Sequence, residues 1–213
     1  MDGTIVDTEP YWMRAETRLI ESYGGSWSHE EALSLVGQSL WHSARVMRAK
    51  GVTLSEDELI ASLTASVMEQ IREEIPWRPG ALELLTELHA AGIRTAMVTM
   101  SLRNLAELVV SLMPVPVFEA IVSGDDVTHG KPHPEAYLRG AELLGVDIAE
   151  CVAIEDSLPG LASAVASGAV AIGVPHMVPI ADSHDHTTWP TLAGRTVSHL
   201  SDVYVAARSG SNP

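Results

Sequence analysis

Cysteine is nearly absent from this 213-residue chain, Cys151 being the only one. A single thiol excludes an internal disulfide framework and fits a reducing compartment, so a cytoplasmic location is expected. Cys151 lies in the apolar run CVAIED, which predicts a buried structural thiol rather than a nucleophile. Long hydrophobic runs are missing as well: none approaches the roughly 20 residues that span a bilayer. No basic stretch followed by an apolar one marks a secretion signal, so neither membrane insertion nor export is expected. Positive charge is scarce, with 13 Lys and Arg against 28 Asp and Glu and a net charge of −15. Such a chain repels nucleic acid and anionic membrane. A phosphorylated substrate would have to be captured locally, by a bound cation and a few placed basic side chains. Internal repeats are also lacking. What is present is core material, 46% hydrophobic residues against 19% charged. That suffices for one sizeable α/β domain, or for a core with a small accessory domain.

From Pro10 to about Ile75 the pattern is helical. The runs SHEE at Ser28–Glu31 and SEDE at Ser55–Glu58 read as capping boxes that open helices. In the second helix Leu59, Ile60, Leu63, Val67 and Ile71 recur on one face. After PWRPG (Pro76–Gly80) helices and short apolar strands alternate. A helix from Gly80 to Ala91 leads into the strand IRTAMV and then TMS. A helix around Leu102–Leu112 follows, then FEAIVSGDDV, a helix from Pro134 to Leu144 ended by Gly145, and the strand CVAI with EDS. A helix from Pro159 to Ser167 ended by Gly168, the strand AVAIGV and a last short strand near Thr196–His199 complete the series. This alternation predicts an α/β fold with a parallel sheet covered on both faces. Ligands bind beyond the carboxyl ends of such strands, where TMS, SGDD and EDS fall. The run ADSHDHTTW reads as surface loop. His184 and His186 flank Asp185 there but lack a further ligand at metal-site spacing.

Four patches share one chemical logic. DGT supplies Asp2 in a tight turn, and VTMS supplies Thr99 and Ser101 at a strand-to-helix junction with free N–H groups. HGKPHPE supplies Lys131 in a loop fixed by Pro132 and Pro134, and IEDS supplies Glu155 and Asp156. Carboxylates suited to Mg²⁺, a hydroxyl among backbone donors and one lysine are the parts of a phosphoryl-transfer site. Each patch alone has a duller reading as turn, helix cap or loop; their joint occurrence at strand ends is the signal.

DGTIVDTEP, VTMS, GKPHPE and VAIEDSLPGLASAVASG resemble, in order, the four motifs of the haloacid dehalogenase superfamily. Within it the chain is similar to the β-phosphoglucomutase-like phosphatases with a small helical cap. The resemblance implies a Rossmann-like core from residues 1–10 and 78–213 and an inserted α-helical cap from residues 11–77. It implies Asp2 as the general acid/base, its backbone carbonyl also touching Mg²⁺, and Lys131 as the balance to phosphate charge. Thr99, Met100, Ser101 and Lys131 would hold the phosphoryl group, with Asp156 the principal metal ligand and Glu155 supporting it. The motif's first Asp, the nucleophile, would stand immediately before Met1, so the natural chain is expected to begin upstream.

Asp2 argues against dehalogenation, which uses no Mg²⁺ and usually lacks this residue. Trp12 stands where the sugar phosphomutases of the group carry a histidine, which tilts the expectation toward hydrolysis of a sugar or polyol phosphate. A phosphomutase, or an inactive phosphate-binding or scaffold protein, remains the alternative. Gly37, Gln38 and Ser39 resemble the family's specificity loop. Arg14, Arg45 and Arg78 are candidate substrate contacts or surface arginines. Trp12, Trp27, Trp41 and Trp77 are expected to pack the cap on the core. The expected enzyme is a monomer.

Overall fold

A computed structural model describes residues 1–36 and 38–210. The chain divides into two compact units, Met1–Val6 with Trp77–Pro213, and Asp7–Pro76.

The first unit is α/β. Helix α5 (Ala81–Ala90) precedes β1 (Ala96–Val98), α6 (Arg103–Ser111) and β2 (Ala120–Val122). Helix α7 (Glu135–Leu144), β3 (Val152–Glu155), α8 (Leu158–Ser167) and β4 (Val170–Gly173) follow, then β5 (His186–Thr188) and α9 (Val197–Arg208). All pairs between these named strands are parallel. Among the described residues they form two ladders: β1 with β2, in register Ala96↔Ala120, and β3–β4–β5, with Val152↔Val170 and Ala171↔His186. Alternate residues of β4 enter different clusters. Ile172 packs with Leu84 of α5 and Leu200 of α9. Ala171 packs with Tyr137 of α7 and Leu161 of α8. The ladder is therefore covered on both faces, and all of β4 is buried, as a near-continuous apolar strand should be.

The second unit is helical. Helices α1 (Glu9–Ser22), α2 (His29–Leu35), α3 (Leu40–Ala49) and α4 (Glu56–Glu73) make it up. Both capping boxes form, at Ser28 with Glu31 and at Ser55 with Glu58. Leu59, Ile60, Leu63, Val67 and Ile71 are all buried, as the helical periodicity requires. Helix α1 is tied to α4 by Gln70, whose amide donates to the Tyr11 carbonyl at 3.1 Å. The Gln70 side-chain oxygen accepts from Arg14 Nε at 2.7 Å.

Several expectations are corrected. The strand expected near Thr196–His199 is the start of α9. Thr196 caps that helix with His199, and Leu200 is buried on its apolar side. The last strand is instead β5, inside the run expected to be loop. Its residues His186–Thr188 are only half-buried, so no apolar alternation announces it. Cys151 is half-buried rather than buried, its thiol donating to the Asp147 carbonyl at 3.4 Å. Trp41 is 39% exposed while Trp12 and Trp27 are buried.

Candidate active site

The strands of the α/β unit end where the polar motifs begin. Beyond β1, the Thr99 amide donates to the Val122 carbonyl at 2.8 Å, and Thr99 Oγ1 accepts from the Ser101 amide at 3.1 Å. The Ser101 hydroxyl donates to Asp2 Oδ2 at 2.6 Å. Beyond β3, Asp156 Oδ1 accepts from the Thr4 hydroxyl at 2.6 Å. The short turn Met1–Val6 thus touches the end of each ladder, Asp2 reaching the first and Thr4 the second. Met1 is itself buried, and its carbonyl accepts the Ile5 amide at 2.8 Å.

Gly3 makes that turn possible. Its φ is +70°, and a Cβ there would lie 2.1 Å from Asp156 Oδ2, so both backbone freedom and close approach demand glycine. Gly160 serves the neighbouring carboxylate, because a Cβ on it would sit 2.1 Å from Glu155 Oε2.

Glu155 is enclosed by donors. Its Oε1 pairs with Lys131 Nζ and accepts from Tyr137 Oη at 2.6 Å. Its Oε2 accepts from the Ser157 hydroxyl at 3.1 Å and the Asp156 amide at 3.2 Å. Lys131 Nζ also donates to the Val98 carbonyl at 3.2 Å and to Tyr137 Oη at 3.3 Å. All three ammonium protons are therefore engaged inside the protein, and its charge reaches the site as a field. Burial alone would raise the Glu155 carboxyl. The charge of Lys131, with the hydrogen bonds of Lys131 and Tyr137, outweighs it and holds the group well below the usual range. Tyr137 moves the opposite way. Burial and the Glu155 charge push its phenol well up, so it remains a donor.

Asp156 is not compensated to the same degree. Burial and the charges of Glu155 and Asp2 raise its carboxyl, against the Thr4 hydrogen bond. Carboxylates crowded in this way, with hard oxygen donors, fit a divalent cation such as Mg²⁺. Glu155 has both oxygens taken by protein donors, so its part is to fix Lys131 and the Asp156 amide.

Asp2, Thr99, Ser101, Lys131, Glu155 and Asp156 are thus brought together. Met100 joins them through its thioether, which accepts the Lys131 amide at 3.4 Å. SGDD takes a structural role: Asp126 pairs with Arg103, and Asp125 accepts the Arg103 amide at 3.0 Å. Gln38 and Arg45 belong to the helical unit, where both are exposed and Arg45 Nε donates to the Trp41 carbonyl at 3.2 Å. Gly37 lies outside the described residues. Arg78 is engaged with His176 Nδ1 at 2.7 Å, and Arg14 stacks 4.6 Å over the Tyr11 ring. Sequence reasoning missed Thr4, Tyr137 and Ser157. Thr4 stands inside the quoted DGT, and only the distance of its partner in sequence hid it.

A Rossmann-like α/β unit carrying acidic, hydroxyl and lysine motifs at its strand ends defines a hydrolase class, and residues 1–174 match the haloacid dehalogenase-like hydrolases. The chain belongs to that family. It is 35% identical to hexitol phosphatase A of Escherichia coli (strain K12), over 82% of this chain and 80% of that protein. Hexitol phosphatase B of the same strain is 30% identical, over 82% and 81%. Among solved structures, CbbY from Rhodobacter sphaeroides in complex with phosphate superposes with a TM-score of 0.85. It shares 26% identity and covers 94% of this chain and 96% of its own.

Proposed function

We propose that this chain, a phosphoric monoester hydrolase of its family, is the Mg²⁺-dependent phosphatase of a small sugar or polyol phosphate, acting as a cytoplasmic monomer. The observation that carries the reading is the Asp2–Glu155–Asp156 group at the strand ends, in which buried Lys131 is committed to buried Glu155 while half-buried Asp156 is crowded by the charges of Glu155 and Asp2. The hexitol phosphatases among its relatives support a polyol phosphate as substrate. Trp12, in place of the mutase histidine, favours water as the final acceptor.

In this reading Asp156 and the Asp2 carbonyl would hold Mg²⁺, which would supply positive charge to offset that of the phosphoryl group. The remaining steps belong to the chain. The nucleophile is the Asp that the family motif puts immediately before Met1. Support for that position comes from the Met1–Val6 turn, which bridges the ends of two separate ladders, as the exit of a strand between them would. The nucleophile attacks phosphorus, the bond to the alcohol oxygen breaks, and Asp2 gives that oxygen its proton. Asp2 then takes a proton from water, which attacks the aspartyl phosphate and releases phosphate. Thr99, the amides after β1 and the Lys131 field stabilise the transferring group. The helical unit serves as the cap, with Gly37, Gln38 and Arg45 candidates for substrate choice.

The test is hydrolysis of hexitol phosphates and p-nitrophenyl phosphate with Mg²⁺, by this chain and by one extended upstream through the Asp. Turnover is expected in the extended form alone, and Asp156→Asn there should remove Mg²⁺-dependent activity. An extended form with no turnover, or an Asp156→Asn variant with full turnover, refutes the reading.

A further inference from the structure

The loop between β2 and α7, with the first residue of α7, carries a second set of groups. Among the described residues, one group of three His, Cys, Asp or Glu side chains gathers its ligand atoms within 4.8 Å of one another: His129, His133 and Glu135. His129 Nδ1 lies 2.9 Å and His133 Nδ1 3.9 Å from the same oxygen, Glu135 Oε2. The two imidazoles face each other with ring centres 4.6 Å apart.

The carboxylate is fixed before any ion arrives. Glu135 Oε1 accepts the Thr128 amide at 2.7 Å and Oε2 the His129 amide at 2.9 Å. The Glu135 amide approaches His133 Nδ1 at 3.3 Å, so that nitrogen carries a lone pair.

We propose that His129, His133 and Glu135 form a binding site for a divalent transition ion such as Zn²⁺, Co²⁺ or Ni²⁺, on the outer face of the loop that carries Lys131. Two imidazoles and one carboxylate suit these borderline ions, whereas Mg²⁺ prefers oxygen and holds its waters. Four-coordinate bonds of about 2.0–2.1 Å place ligand atoms about 3.4 Å apart. Reaching that from the present separations needs rotation of the two imidazoles, whose side chains are 62% and 52% exposed, with their contacts to Glu135 exchanged for bonds to the ion. Exposure also leaves room for water to complete the shell. The net charge of −15 enriches cations around the chain.

The site is distinct from the strand-end carboxylates. Lys131 lies between the two histidines in sequence, but its side chain is 8% exposed and turned toward Glu155. One short loop thus presents a cation inward and a ligand set outward, and an ion held outside would clamp the segment that positions Lys131.

The experiment titrates this chain with Co²⁺ under a large excess of Mg²⁺, reading the visible d–d bands and the bound stoichiometry. One equivalent with nitrogen-ligated bands is expected. The double variant His129→Ala/His133→Ala, in which both side chains are exposed and the fold should persist by circular dichroism, should bind at least tenfold more weakly. Asp156→Asn should keep the bands. Absence of bands in the unaltered chain, their survival in the double histidine variant, or their loss in Asp156→Asn would each overturn the assignment.

Discussion

Each unit buries a glutamate, and the two carboxyls behave in opposite ways. Glu155 in the α/β unit is buried against Lys131, Tyr137 and Ser157 and stays ionised. Glu16 in the helical unit is buried on α1, and burial raises its carboxyl to about 7. The Trp27 indole lies toward it and lowers the value somewhat, without closing to hydrogen-bond geometry. Burial alone therefore does not set the charge of a carboxyl. The partners supplied from other elements do, and a functional strand end supplies them where a helical packing surface does not.

The comparison can be broken most severely by Lys131→Met, which should turn Glu155 into a second Glu16. Removing one partner of a buried pair costs about 3–5 kcal/mol, so the urea midpoint should fall sharply at neutral pH and recover in acid as Glu155 protonates. A pH-independent loss would mean that lost packing, not the stranded charge, dominates.

Glu16 is next. Its folded value of about 7 lies above the ordinary 4.5, so between those pH values the unfolded chain has released a proton that the folded chain keeps. Stability is then full below about 4.5, falls as pH rises toward 7 and levels above it. The total is about 3 kcal/mol. Glu16→Gln should flatten this slope in denaturation curves taken at pH 5 and pH 8; an unchanged slope would assign it to another group.

Tyr137→Phe should sharpen the contrast at smaller cost. It removes two hydrogen bonds to charged groups, the donor to Glu155 and the longer acceptor for Lys131, the shorter of them worth about 2 kcal/mol, and leaves the Lys131–Glu155 pair in place. In the upstream-extended enzyme kcat should fall about tenfold with KM unchanged. A rise in KM alone would move Tyr137 from positioning to substrate binding. Ser157→Ala is the mildest change, because it removes the cap of α8, which accepts the Gly160 amide at 3.2 Å, and one donor to Glu155. About 1 kcal/mol is expected, and a thermal midpoint equal to the parent's would contradict that role.

The helices were legible because their ends are written locally. Capping boxes at Ser28 and Ser55 and stops at Gly145 and Gly168 need only neighbouring residues. The end of the chain was misread for the same reason in reverse. Thr196 and Val197 are β-branched and suggest a strand, yet His199 closes a cap that makes them a helix start. The polar strand β5 earns its pairing from β4, which no local pattern reveals. At the candidate site the motif residues could be named from sequence, but their partnerships could not. Ser101 with Asp2, Thr4 with Asp156 and Tyr137 with Glu155 join residues far apart in the chain. A motif states which groups are present; tertiary contact decides which of them hold each other.

Gly3 and Gly160 also bear on how much variation the sequence can tolerate. The Asp156 and Glu155 carboxylates occupy the volume that any side chain at positions 3 and 160 would need. In a library randomised at both positions and selected for activity of the extended form, glycine should be the sole survivor at each. Gly24 and Gly92 share the positive φ of Gly3 but meet nothing within 4 Å, so asparagine should pass there. The acidic pair thus restricts the alphabet of residues that carry no charge and do no chemistry.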